Sequence, residues 1–197
     1  MTVALALIAA YLVGSIDFAV IVARMHGVDI REVGSGNPGT SNVLRTLGRF
    51  PAALVLIGDL VKGVVAAAMG MVGAGVADPQ VHWAFAAGLA AVVGHCYPIF
   101  HRFRGGRGVA TGLGTLVFTA PLVAAIDGVI WLVTVKLSKT ASVASLLALA
   151  ATLPLAIWQG VRGLALLWLA AMLILVLWRH RANIVRIASR SEQKVPT

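Results

Sequence analysis

"GVATGLGTLVFTAPLVAAIDGVIWLVTV", residues 108–135, is a run of 28 residues with almost no polar interruption. As one helix it would be about 42 Å long, too long for a hydrocarbon core of roughly 30 Å. Pro121 lies near its middle, where a helix breaks or turns. The run is therefore either one overlong span or two short ones, and the choice sets the parity of the whole chain.

Further apolar runs occupy about 3–23, 51–76, 82–100, 141–158 and 163–178. Two spans within 108–135 give seven crossings. The basic residues at Arg24, Arg31, Arg45 and Arg49, at 102–107, at Lys136 and Lys139, and from Arg179 onward then share one face. The opposite face keeps only Arg162, and Lys62 lies inside a span. A single span would split these groups. The positive-inside rule thus predicts a seven-span, all-α helical bundle with the N-terminus outside and the C-terminus cytoplasmic. Both halves of the long run are short for full spans, so tilt, local thinning or a polar loop sunk into the bilayer is expected beside them.

Composition agrees. Of 197 residues, 59% are hydrophobic and 12% charged, with mean hydropathy +0.93, and a soluble domain would carry about twice that charged fraction. No linker, repeat or low-complexity segment divides the chain, which reads as one domain over 1–197. "MTVALALIAAYLVGS" lacks a basic start and reads as an uncleaved first span. Cys96, the one cysteine, excludes an internal disulfide and a cysteine-based zinc site.

This topology gathers every polar, glycine-rich stretch on the cytoplasmic side. In the first, Gly34, Ser35, Gly36 and Asn37 let backbone N–H groups converge on an anion. Thr40, Ser41 or Asn42 can cap a following helix and aim its N-terminus at the same point, with Arg45 beyond. No GK[ST] ending follows, so this is not a Walker loop; alone it reads as a solvated turn joining two spans. The second, "GHCYPIFHRFRGGRGVATGLG" (94–114), places Arg107 in "GGRG" directly before an apolar helix. By itself it also suits a loop that touches anionic head groups. In the third, "RHRANIVRI", His180, Asn183 and Arg186 recur at helical spacing, a pattern that also fits a juxtamembrane anchor. Three such stretches on one face read together as a phosphate-binding site. Within the spans, Asp59 and Lys62 can pair, either bracing the loops or entering a pocket. Asp17 is expected to bond a neighbour and Asp127 to lie near the outer surface. The tryptophans read as interfacial or packing aromatics, and Gly108 and Gly112 as close helix contacts.

"GSGNPGTSNVLR", "GHCYPIFHRFRGGRGVAT" and "HRANIVRI", with the intervening "GDLVKG" and "KTASVASL", resemble the bacterial acyl-phosphate-dependent glycerol-3-phosphate 1-O-acyltransferase family over essentially the whole chain. The resemblance implies a multi-pass enzyme of the bacterial plasma (inner) membrane. It would pass a fatty acyl group from acyl phosphate to the 1-hydroxyl of glycerol 3-phosphate, giving lysophosphatidic acid and phosphate. It also implies a functional link to an acyl-phosphate-forming enzyme, with membrane lipid as surroundings and no nucleic-acid partner. By motif, Gly34, Ser35, Gly36 and Asn37 would cradle the acyl phosphate, with Thr40, Ser41 and Asn42 beside them. Arg45, Arg107, His180 and Asn183 would hold glycerol 3-phosphate, with Ser142 as a neighbour. Either His180 or a substrate phosphate oxygen would take the hydroxyl proton.

The donor is an activated anhydride, so positioning and charge stabilisation suffice. Accordingly, neither a cofactor nor a metal ion is expected. No histidine is followed by an aspartate at the H-x4-D spacing of acyl-CoA-type acyltransferases. Arg107 replaces the family's usual lysine and keeps the charge; "GTSN" replaces "GATN"; and Asp17 stands where proline is common. The rival reading is a small transporter for organic phosphates, which needs a polar path through the outer half. There only Asp78, His82, Asp127, Gln159 and Arg162 are polar candidates. A lipid-binding structural protein would explain the basic surface but not the glycine loops.

Overall fold

A computed structural model describes residues 2–74 and 81–196; Asp78 lies outside them. All regular elements among these residues are helical: α1 Val3–Gly14, α2 Phe18–Met25, α3 Thr40–Leu47, α4 Arg49–Ala74, α5 Val81–Cys96, α6 Val109–Thr119, α7 Pro121–Ser138, α8 Ala141–Trp158, α9 Gly163–Arg179 and α10 Arg181–Ala188, with a short 3-10 turn at Ile99–His101.

Pro121 divides the long run as its chemistry requires. It occupies the first turn of α7, where a missing N–H costs nothing, and the chain turns at Ala120 with φ −148° and ψ 67°. The two halves are unequal, however. At 18 residues α7 is long enough to cross a bilayer, whereas α6 has only 11 residues, about 16 Å of helix. Only the first half is short. Five segments are long and apolar enough to span: Val3–Met25, Arg49–Ala74, Val81–His101, Pro121–Ser138 and Ala141–Trp158. The apolar α9 continues into α10 through a 51° bend. Asp17 shapes the first segment: its carboxylate accepts the Val20 N–H at 3.1 Å and starts α2 where α1 has ended.

The helix α4 is the hub, packing against α1, α5 and α6, while α7 pairs with α8 and α9 leans on α5. Lipid gives no hydrophobic drive between helices, so close approach through small residues holds them together. A Cβ on Gly63 would collide with the Thr111 carbonyl, joining α4 to α6, and one on Gly114 with the Leu60 carbonyl. Gly14 meets the Ala91 backbone in the same way and joins α1 to α5. The expected pair Gly108 and Gly112 is different. A Cβ on Gly108 would meet Val92 Cγ1 at 2.7 Å, on a backbone with φ +87°, whereas one on Gly112 would find its nearest atom, Met172 Sδ, at an ordinary 3.4 Å. Close packing on α6 thus runs through Gly114 toward α4 rather than through Gly112.

Gly63→Val is expected to destabilise the bundle by about 2 kcal/mol or more through overpacking against backbone, read as a lower Tm in detergent. Gly112→Ala should stay within about 1 kcal/mol of the parent. Equal Tm values for the two variants would contradict the α4–α6 contact.

Candidate active site

The first loop is built around Asn42. Its side chain is buried; Oδ1 accepts the Ser35 N–H at 2.8 Å, and Nδ2 donates to the carbonyls of Ile30 and Val33 at 3.0 Å each. Gly34 and Gly36 have φ +60° and +67°, a left-handed backbone that favours glycine, and a Cβ on Gly34 would strike Asn42 Oδ1. Two expectations change here. The N-cap of α3 is Gly39, extended and without a side-chain cap, so Thr40, Ser41 and Asn42 form the first turn and none is the cap. Asn42 has both amide hydrogens committed to the loop and none left to donate to an anion. Ser35, Asn37, Thr40, Ser41 and Arg45 line a cavity at the helix start, while Gly34 and Gly36 shape the loop behind them.

The second loop is pinned by its own carbonyls. Gly105 and Gly106 donate to the carbonyls of Cys96 and His95 at 3.2 and 3.1 Å. Arg179 then grips both glycine carbonyls, Gly106 at 3.0 Å and Gly105 at 2.7 Å. Gly106 is pressed between His95 Nε2 and the Pro38 carbonyl, so no side chain fits there. Behind it, Lys62 lies 2.7 Å from Asp59 and 2.9 Å from His95 Nδ1, and donates to the Ile16 carbonyl at 2.9 Å. The expected Asp59–Lys62 pair has therefore formed, with His95 as a third member. It braces the loop, and Asp59 and His95 also reach the cavity wall.

Arg107 projects into this cavity, and among the described residues its guanidinium has no hydrogen-bonding or ion-pair partner. Burial pushes its pKa down to about 10; Glu192 opposes that, while Arg186, Arg45 and Arg179 add to it. A half-dry cation among other cations calls for an anion.

The third stretch closes the site from α9 and α10. His180 sits at the bend, 1% exposed, with Nδ1 at 2.8 Å from the Val176 carbonyl. A carbonyl only accepts, so Nδ1 carries the proton and Nε2 keeps its lone pair. Burial pushes the His180 pKa down to about 4, outweighing the Val176 bond that raises it.

Sequence reasoning missed Glu192. Its Oε1 accepts from Ser142 at 2.9 Å and from Asn183 at 2.6 Å, and its Oε2 from Arg186 Nε at 2.7 Å. Burial opposes the carboxylate, but these hydrogen bonds prevail and hold its pKa below the usual range. Arg45 binds the same tail, donating to the carbonyls of Lys194 at 2.8 Å and Gln193 at 3.1 Å. Val195 N–H meets the Lys139 carbonyl at 2.8 Å. The structure thus brings together Arg45, Ser142, Asn183, His180 and Arg107 as expected. Arg45, Ser142 and Asn183 nevertheless spend these donors on the C-terminal tail. One signal was available: Glu192 is the only acidic residue after Asp127, set in a basic tail.

The cavity, about 340 Å³, continues from this polar mouth into an apolar limb between α6, α7, α8 and α9. Asp127 lines its far end, buried in the bundle rather than open to solvent: it is 4% exposed and accepts from the Thr152 hydroxyl at 2.7 Å. The buried hydroxyl partner makes that inward position affordable.

Glu192→Gln places an amide N–H against the donors of Ser142 or Asn183 and removes charge-assisted bonds of about 1.5–3 kcal/mol; a Tm lower by several degrees is expected, and an unchanged Tm would contradict the clasp. For His180 the folded pKa of about 4 lies below the ordinary 6.5. Between those values the unfolded chain binds a proton that the folded one refuses, so stability should fall as pH drops through that window. His180→Asn should flatten this part of the pH–stability curve. An unaltered slope would place the His180 titration elsewhere.

Residues 4–190 match the family model described as glycerol-3-phosphate acyltransferase. The glycerol-3-phosphate acyltransferase of Pseudomonas paraeruginosa is 45% identical over 179 residues, covering 90% of this chain and 91% of the relative. Among solved structures, PlsY, an integral membrane glycerol 3-phosphate acyltransferase, is similar in its glycerol 3-phosphate form with TM-score 0.91 at 35% identity. Its lysophosphatidic acid form gives 0.89 at 34%, and both alignments cover 99% of this chain and 96% of that one. With its bundle, its loops and its order of motifs, the chain belongs to the glycerol-3-phosphate acyltransferase family.

Proposed function

We propose that this chain transfers a fatty acyl group from an acyl phosphate to the 1-hydroxyl of sn-glycerol 3-phosphate, releasing lysophosphatidic acid and inorganic phosphate. The observation that carries the reading is Arg107, a cation without a described partner at the junction of a polar mouth and an apolar limb. Phosphate suits the mouth and an acyl chain suits the limb. The solved relative, with glycerol 3-phosphate and lysophosphatidic acid forms, supports the same pair of chemistries.

In this reading the acyl-phosphate head lies against the Gly34–Asn37 loop, with Ser35, Asn37 and the first turn of α3 at Thr40 and Ser41 as donors. Arg107 holds the phosphate of glycerol 3-phosphate. Arg45, Ser142 and Asn183, ordered by the tail, complete its wall. The 1-hydroxyl oxygen attacks the acyl carbonyl carbon; the new ester C–O bond forms as the carbon–oxygen bond to phosphate breaks, and phosphate departs with the bonding electrons. His180 Nε2 takes the hydroxyl proton, a role supported by its fixed tautomer and neutral state. The whole chain, 1–197, acts as one unit in the bacterial inner membrane. It crosses seven times, with α6 as the short span, the N-terminus outside and the site facing the cytoplasm, where an acyl-phosphate-forming enzyme supplies the donor.

Purified protein given acyl phosphate and glycerol 3-phosphate should yield lysophosphatidic acid and stoichiometric phosphate. Persistence of both substrates with folded protein would overturn the reading, and equal rates from acyl-CoA would overturn the donor. Arg107→Ala should lower kcat/KM by about 10- to 150-fold, the scale of one charge-assisted contact, and Arg107→Lys should stay within about tenfold. Full activity in both variants would remove Arg107 from the site.

A further inference from the structure

The apolar limb ends on polar atoms. Thr152 is the deepest residue of α8 along the cavity wall and Asp127 the deepest of α7. They are joined at 2.7 Å, and the Thr152 hydroxyl also touches the Ala148 carbonyl at 2.9 Å. Asp127 Oδ1 is buried without a partner among the described residues. One turn of α7 and two turns of α8 nearer the mouth, Trp131 and Ser145 form a similar bridge at 3.1 Å, and Gly128, Ala148 and Leu149 line the interval between the two bridges.

We infer that the Asp127–Thr152 pair is a ruler that sets which acyl chain length this enzyme prefers; the inference rests on the acyl-transfer reading above. Ser142, in the polar mouth, and Thr152 are ten residues apart on one helix, about 15 Å along its axis. C–C bonds are about 1.5 Å long and advance somewhat less along an extended chain, so roughly 12 carbons fill that distance. Each methylene placed in the limb strengthens binding about fourfold. The next ones meet a carboxyl group whose hydrogen bond they would have to displace, and the gain stops. Leu116 on α6 and Leu169 on α9 also line the cavity and would favour longer chains, so the limit lies in the polar pair.

The test is kcat/KM for saturated acyl phosphates of roughly 8 to 18 carbons, measured on the intact protein in detergent micelles with glycerol 3-phosphate as acceptor. For the parent, kcat/KM should climb with length and then level off or fall near 12 carbons. Asp127→Ala should raise the ratio of the 16-carbon to the 10-carbon substrate by about fivefold or more, a small part of the gain six methylenes can provide. The 10-carbon value itself should hardly change, and Asp127→Asn, which keeps a polar group of the same size, should keep the parent ratio. Thr152→Ala should move the ratio in the same direction as Asp127→Ala. A ratio unmoved in both alanine variants while the 10-carbon substrate is still used would overturn the ruler. So would loss of activity on every chain length in both, which would make the pair purely structural. A parent that turns over no acyl phosphate counts instead against the acyl-transfer reading.

Discussion

A guanidinium that is largely out of water, beside several other cations and with no hydrogen-bond or ion-pair partner among the described residues, calls for an anion. Arg107 is held in that state. Burial lowers its pKa to about 10, and Arg186, Arg45 and Arg179 push the same way. The polar end of the cavity is arranged around this need for an anion. An anionic ligand would repay the desolvation already spent, and in the proposed reading that ligand is a phosphate.

Keeping Arg107 aimed requires rigid loops, and the chain obtains rigidity by spending polar groups on backbone. Asn42 holds the first loop through three hydrogen bonds. Arg179 and the backbone of His95 and Cys96 hold the glycine pair before Arg107. Glu192 gathers Ser142, Asn183 and Arg186 into one carboxylate clasp. The buried Asp59–Lys62–His95 cluster links α4, α5 and the break between α1 and α2 beneath these loops. Replacing these partners by apolar groups would leave carbonyls and charges unmet in a region where water is scarce.

The parts of this arrangement that were legible in sequence are those governed by strong local rules. Pro121 announced the break in the 28-residue run, and the three polar loops announced residues that the fold gathers around one cavity; family membership then favours acyl transfer over transport. What stayed hidden depended on partners distant in sequence. Asn42 looked like a helix cap because Ser, Thr and Asn usually serve there, yet its amide points back to Ile30 and Val33, and glycine takes the cap. Asp127 showed no partner in the sequence around it; that partner, Thr152, is 25 positions away on α8. Glu192 drew no reading from the sequence, and only its contacts to Ser142 on α8 and to Asn183 and Arg186 on α10 give it a role. The Gly63 and Gly114 contacts were equally invisible, since periodicity does not say which helix faces which.

The most direct measurement is a structure of the protein with an acyl phosphonate, a donor mimic whose carbon–phosphorus bond cannot be cleaved by transfer, together with glycerol 3-phosphate. The account predicts the phosphonate against Ser35 and the start of α3, the phosphate of glycerol 3-phosphate within hydrogen-bond distance of Arg107, and the acyl chain running along α8 from Ser142 toward Thr152. Phosphate groups bound away from Arg107, or an acyl chain lying on the outer lipid face of the bundle instead of in the limb, would contradict it.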